Sequence, residues 1–435
     1  MAVLANRAWM STATAGTGTI TLGSALSGFQ TFGDAGITDG QVVAYTIVDG
    51  AAWEVGTGTY TSSGTTLTRT VTESSNSDSA VSLSGSATVF ITPRKQDLLL
   101  PGRNAIINGA FMAAQRGTSF TDSGSANNDD TYNLDRWTLL SDGNDVVDVS
   151  QETSDVPTAG LNALKMLVVT VNKKFGVIQF IEQKNCIGLI GETVTLSFKA
   201  KVNNTTRLDK IKAAIIAWDG TADTVTSDVV SAWGVDGTTP TMVANWTLEN
   251  TPADLGVTTS WASYSITAAV DTASAKNIAV FIWSDNVTDT DAADYLLLAD
   301  VQLEYGTNAT LFDREAYSQT LAKCQRYYFR RSSNSTNDYI GMIQGYDSNS
   351  SFGALEHLPV QMRVTPTVAA SAASDLSTYR ADGSARDAAS AVDFDKSTVF
   401  SIAVTDLTSA NITAGQATIL TFNSATGWIA ASAEL

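Results

Sequence analysis

The chain has 435 residues and a formal net charge of −18, with 26 Lys and Arg against 44 Asp and Glu. Only 16% of its residues are charged, against ~25% in ordinary soluble domains, and Ser, Thr, Gly, Ala and Asn fill the gap. The length suits about three domains of ~150 residues each, and the acidity excludes a nucleic-acid-binding role, which needs a basic stripe.

The first residues, MAVLANRAWMSTATAG, lack a basic segment followed by an apolar run, so no secretory signal is expected. No apolar stretch is long enough to insert into a membrane. Residues 1–93 read as a run of short strands: 17–22, 42–48, 52–60, 65–71 and 81–91. Turn signals such as Asp49-Gly50 and Ser63-Gly64 separate them at intervals of ~10 residues, the rhythm of a small all-β module. Pro93 closes this module and Pro101-Gly102 opens the next, leaving 94–102 as a linker. The stretch RKQDLLLPGRNAIINGAFMAAQRG carries four basic residues, Arg94, Lys95, Arg103 and Arg116, but four such charges inside an acidic chain read as a joint rather than a binding patch.

Residues 103–316 repeat the β theme at larger scale. Expected strands are 164–171, 176–182, 193–201, 212–218, 261–268, 277–283 and 295–304. Some alternate strictly, and others, such as Ile278–Trp283, are continuous apolar runs, a mixture that fits a two-sheet sandwich. Residues 219–260 form a long Thr-, Asp- and Gly-rich excursion, a length that marks an exposed or functional segment. Residues 317–331 give the one helical signal, with Leu321, Cys324 and Tyr328 at helical spacing, and the end of this stretch could already be strand. Residues 332–435 return to short strands: 339–344, 367–370, 398–403, 416–421 and 427–433. The expectation is an all-β chain of several β-sandwich or jelly-roll-like domains in series, with one short helix before the C-terminal domain.

Candidate chemistry is sparse. His357 is the only histidine, so Ser-His or Cys-His catalysis would have to run through it; between apolar residues it reads as structural. Cys186 and Cys324 are too few and too distant for a disulfide scaffold and are expected buried and reduced. The loop 285–294, DNVTDTDAAD, offers oxygen donors from Asp285, Asn286, Asp289, Asp291 and Asp294, the hard ligands calcium takes. It lacks the Gly and terminal Glu of an EF-hand loop, so a solvated acidic loop is the stronger reading, and calcium is the only cofactor the chain suggests. The short Asn127–Asp130 run reads as a turn. Tryptophans concentrate in the middle module, and Trp233 and Trp246, in the long excursion, are the candidates for stacking on sugar rings.

Three blocks together resemble the tail-fibre and related receptor-binding proteins of tailed bacteriophages: RNAIINGAFMAAQRGTSF followed by TYNLDRW, then DVQLEYGTNATLFDREAYSQTLAKCQRYY, then the final ASAEL. The resemblance spans about residues 103–330 and includes Asn108, Arg116, Asp135, Arg136, Trp137, Glu304 and Cys324, which it implies are structural. It implies a sandwich similar to carbohydrate-binding modules. Residues 1–93 resemble an N-terminal module of such virion proteins, implying attachment to a neighbouring tail, neck or head protein. Residues 332–435 resemble their variable distal domains, which implies a homotrimer. The expected protein is therefore a non-enzymatic virion component, a short tail fibre or spike made in the bacterial cytoplasm and contacting host-surface glycan. The alternatives are a head or neck decoration fibre without a receptor and a virion-borne glycan depolymerase. Arg116 and Arg136 are expected to pair with Asp135 or Glu304.

Overall fold

The computed structural model describes residues 3–94, 102–121, 126–347, 349–353, 355–380, 386–410 and 412–435, with residue 355 described by its backbone alone. Residues 95–101 of the expected linker lie outside the described residues. The chain packs as two compact units, Met1–Pro101 and Gly102–Leu435, each taken here by itself. Among the described residues nearly every element is a strand, and the longer of two α-helices is Tyr317–Gln325.

The first unit is built on a seven-stranded antiparallel sheet. Its longest strands, Val42–Asp49 and Ala52–Thr61, form a hairpin through the two-residue loop Gly50-Ala51, with Gly50 in the left-handed conformation. Tyr45, Ile47, Phe32 and Val89 fill the core. Within it lies a buried ion pair: Glu54 accepts from Arg69, from the Tyr45 hydroxyl at 2.7 Å and from Val81 N at 2.9 Å. Burial alone would raise the Glu54 carboxyl, but these bonds hold it below the usual carboxylate range.

The second unit contains the expected sandwich. One sheet runs in the order Ser119–Phe120, Val147–Glu152, Ala163–Val168, Tyr295–Tyr305, Thr193–Val202, Ala262–Ala269. The other runs Thr131–Tyr132, Thr138–Ser141, Phe175–Ile181, Asn277–Ser284, Ile211–Trp218, Trp246–Leu248. Val177, Ile215, Val280, Leu196 and Leu298 are among the residues that fill the space between them, each contributing about 1.5–3 kcal/mol by burial. In the second sheet, strands Phe175–Ile181, Ile211–Trp218 and Asn277–Ser284 are buried along their whole length. They are apolar on both faces because a second layer covers them from outside.

Helix Tyr317–Gln325 leads into strand Tyr328–Ser332, as the mixed signal of 317–331 anticipates. The remainder is all-β, as expected, in short strands. Strands Tyr339–Gly345, Ser350–Phe352, Asp406–Ser409, Arg386–Asp393, Leu376–Arg380 and Ala417–Phe422 close into a barrel. Beside it, Trp428–Ser432 pairs on one side with Tyr328–Ser332 and on the other with Thr367–Ala370. The expected separate C-terminal domain thus shares one packed unit with the sandwich.

Candidate functional site

The motif residues converge. Asn108 sits at φ 60, a left-handed position that Asn tolerates better than most residues. Its amide donates to the carbonyls of Ala113 (2.9 Å) and Asp135 (3.0 Å) and accepts from Ala113 N, while its own carbonyl receives Trp137 Nε1 at 3.2 Å. Gly109 is required for another reason: an added Cβ would lie 2.0 Å from the Val301 carbonyl oxygen. The buried Gln179 amide then bonds both the N–H and the carbonyl of Ile107 at 2.8 Å. The IING segment is therefore stitched to both sheets.

Asp135 accepts from Gln115 N and Nε2, and Gln115 also donates to the Tyr328 carbonyl at 2.7 Å. Arg116 lies 3.6 Å from Asp135 and 3.1 Å from Glu434, with its guanidinium 3.6 Å from the Tyr328 ring centroid. Arg136 ion-pairs with Glu434, donates to the Phe180 carbonyl at 2.7 Å and lies over the Tyr327 ring. Burial is the main influence on the facing groups, pushing Asp135 up and Arg116 down, each partly countered by the other. Tyr327 and Arg326 both bond Glu182, whose carboxyl burial would raise but these partners hold low. Cys324 is buried and free, as is Cys186. Glu434 of the final ASAEL is thus the main partner of Arg136, which corrects the expectation of Asp135 or Glu304. Glu304 instead accepts from Thr310 N and Oγ1 at 2.8 and 2.7 Å, closing the turn after its strand. This cluster is buried, with Arg116 Nη1 and Arg136 Nε left without a hydrogen-bond acceptor, and it joins the sandwich to the three-stranded sheet beside the barrel rather than offering a ligand site.

Trp233 and Trp246 are not the exposed rings the sequence suggests: they are 9% and 5% exposed. The excursion folds back over the outer face of the second sheet, and both rings pack there with Trp218, Phe180, Phe281 and Trp283. Asp285 holds this layer in place. Its carboxylate lies 2.5 Å from Lys174 Nζ and 2.7 Å from Lys212 Nζ. Lys174 also donates to the carbonyls of Trp233 and Thr238, and Lys212 to that of Gly237. Asp291 and Asp294 both face Arg207, at 3.0 and 2.8 Å, while Asp289 is exposed at φ 65. Three of the four carboxylates of 285–294 thus face the protein's own cations, and Asp285 and Asp294 are buried, which corrects the reading of a solvated acidic loop and leaves the calcium alternative without support. Among the described residues no group of three or more His, Cys, Asp or Glu is placed to hold a metal. His357 is exposed on strand Leu355–His357, which pairs with Ser401–Ala403 in a two-stranded sheet outside the barrel.

Two surfaces that the sequence reading did not single out remain. The first is the outer face of the other sandwich sheet. Lys165 and Lys201 stand on either side of Leu297, in register across three strands. Half-buried Trp261 donates from Nε1 to Asp155 at 3.0 Å, and Lys201 meets the same carboxylate at 2.6 Å. Lys165 Nζ lies 4.6 Å from the centroid of the half-buried Tyr295 ring. Further along, a β-bulge opposite Ser197–Lys199 and a positive φ of 52 at Asp300 aim that carboxylate at Lys199 (3.0 Å) and Arg314 (2.9 Å). Ala163, Leu297 and Ala299 form the apolar floor, with Val156, Trp261 and Tyr295 packed against it. The strict alternation of LKMLV and SFKAK is the signal that could have placed these lysines on one face. The second surface is an apolar cleft of about 410 Å³ on the barrel, lined by Tyr339, Ile340, Met342 and Ile419 among others. Tyr339 and Met342 are 60% and 67% exposed there.

No family model matches the chain, and no curated protein matches it. Among solved structures it is similar to the enzymatically active domain of bacteriophage CBA120 tailspike protein 4, with 18% identity over 48% of this chain and 22% of that one, at a TM-score of 0.28. A carbohydrate-binding module of the β-sandwich superfamily gives 10% identity over 68% of this chain and 98% of that one, at a TM-score of 0.30. A CBM22-2 xylan-binding domain from Paenibacillus barcinonensis gives 11% over 43% and 98%, at a TM-score of 0.26. The chain thus spans about a fifth of the tailspike domain's length.

Proposed function

We propose that this chain is a structural virion protein of a tailed bacteriophage, a short tail fibre or spike that binds host-surface glycan through its second unit. The glycan reading is carried by one observation: on the outer sheet face, Trp261 and Tyr295 stand half-buried beside the fixed polar groups of Asp155, Lys165 and Lys201. Aromatic faces pack against the apolar faces of sugar rings, while oriented carboxylate and ammonium groups satisfy their hydroxyls. The virion reading is supported by the sequence blocks that resemble phage fibres. Their residues meet in one buried cluster, as fold-specifying motifs should.

In this reading residues 1–93 attach the chain to a neighbouring virion protein, and the barrel's apolar cleft is covered by copies of the chain in a homotrimer. Unheated gel mobility near three times 45.8 kDa would accompany such a trimer. Electron microscopy of labelled particles would place the chain at the tail, neck or head. The glycan reading is tested by binding purified chain to host polysaccharide. Trp261→Ala is expected to weaken binding about tenfold, ~1.4 kcal/mol, with an unchanged melt. Equal binding by the variant would assign the interaction elsewhere.

A further inference from the structure

We infer that the glycan taken by this face is anionic, a polysaccharide bearing carboxylates along its length. This rests on the glycan-binding reading above and adds the ligand's charge. At −18 the chain as a whole repels polyanions, so an acidic polymer needs a local cationic seat. The outer face supplies one. Lys165, Lys199, Lys201 and Arg314 lie along it, and the carboxylates facing them are shared: Asp300 serves both Lys199 and Arg314, while Asp155 serves Lys201 and the Trp261 indole.

Lys165 differs from the rest of the row. Among the described residues its ammonium has no carboxylate partner and is set over the Tyr295 ring instead. The acids on the neighbouring strand are engaged elsewhere. Glu152 is wrapped by the N–H groups of residues 153–155 and the Ser154 hydroxyl, and Asp148 accepts from Asn127. A cation held against an aromatic face keeps its charge and part of its desolvation cost already met. It is therefore poised for a carboxylate at the ~2.7–2.9 Å of a charge-assisted bond. Lys165 and Lys201 sit on strands either side of Leu297, with backbones two strand spacings or ~9.5 Å apart. The two ammonium groups can so engage successive acidic sugars while Trp261 and Tyr295 pack on the rings between.

The test is binding of the full chain to immobilised polysaccharides: alginate, hyaluronate, polygalacturonate and polysialic acid against dextran, amylose, galactan and mannan. Expected is binding to at least one carboxylated polymer and to none of the neutral ones. That binding should weaken severalfold between 50 and 300 mM salt and be lost when the polymer's carboxyls are reduced to alcohols. Lys165→Gln should bind about tenfold more weakly with an unchanged melting temperature. Equal binding to a neutral or carboxyl-reduced polymer, or no effect of Lys165→Gln, overturns the inference and leaves glycan binding standing. Binding to none of the eight overturns both.

Discussion

Glu434 faces two buried arginines and is the carboxylate of the ion pair made by Arg136, while Arg116 also faces Asp135. Removing one partner of a buried pair costs about 3–5 kcal/mol, chiefly through the charge left behind. Glu434→Ala is therefore expected to lower the melting temperature of the second unit by many degrees, and Arg116→Ala to lower it as well, since the Asp135 carboxylate then loses its cation. Calorimetry of both variants checks this, and an unshifted melt for Arg116→Ala would refute its structural role. Asp130 shows the opposite situation. Burial, with Asp129 and Asp228 nearby, pushes its carboxyl up to about 7. The folded chain then keeps a proton that the unfolded chain releases near 4, so stability falls as pH rises from about 4 to about 7 and stays lower above. Asn cannot ionise and tolerates the φ of 59 found there. Asp130→Asn should therefore raise the melting temperature at pH 8 and leave it nearly unchanged at pH 4.

At the level of elements, the IING segment shows how narrowly a turn is specified. Gly109→Ala would drive a methyl into the Val301 carbonyl, opening the bulge that aims Asp300. Soluble yield and melting temperature of the sandwich should collapse, whereas Gly188→Ala, with open space around it, should be neutral. The long strands were legible in sequence because they carry either strict alternation or unbroken apolar runs. Asn277–Ser284 and Tyr295–Tyr305 are read almost to the residue. The barrel was legible only in part: 339–344 and 416–421 were expected as strands and match Tyr339–Gly345 and Ala417–Phe422, but the others were not. Strand Arg386–Asp393, RDAASAVD, is small or polar at every position but Val392, and its pairing with Asp406–Ser409 is fixed only by tertiary closure. The same limit explains the site. Trp233 and Trp246 lie in a segment with no regular pattern, and only its folding back on the sheet decides that the rings are buried. Lys165 and Lys201 were each visible by alternation, but their being neighbours depends on Tyr295–Tyr305 inserting between their strands.

Taken whole, the second unit joins its sandwich to the three-stranded sheet beside the barrel through Gln115, Arg116, Arg136, Tyr327, Tyr328 and Glu434. A sandwich and a closed barrel linked only by a helix would melt separately. With the shared cluster intact, residues 102–435 are expected to unfold in a single calorimetric transition, and Glu434→Ala to divide it in two. The three central strands Phe175–Ile181, Asn277–Ser284 and Ile211–Trp218 are buried on both faces along their whole length. Their amides can meet solvent only when the excursion lifts away or the sandwich opens. In deuterated buffer they should therefore be the last protons to leave the molecule, exchanging on the timescale of global unfolding while the barrel's exposed strands have long since turned over.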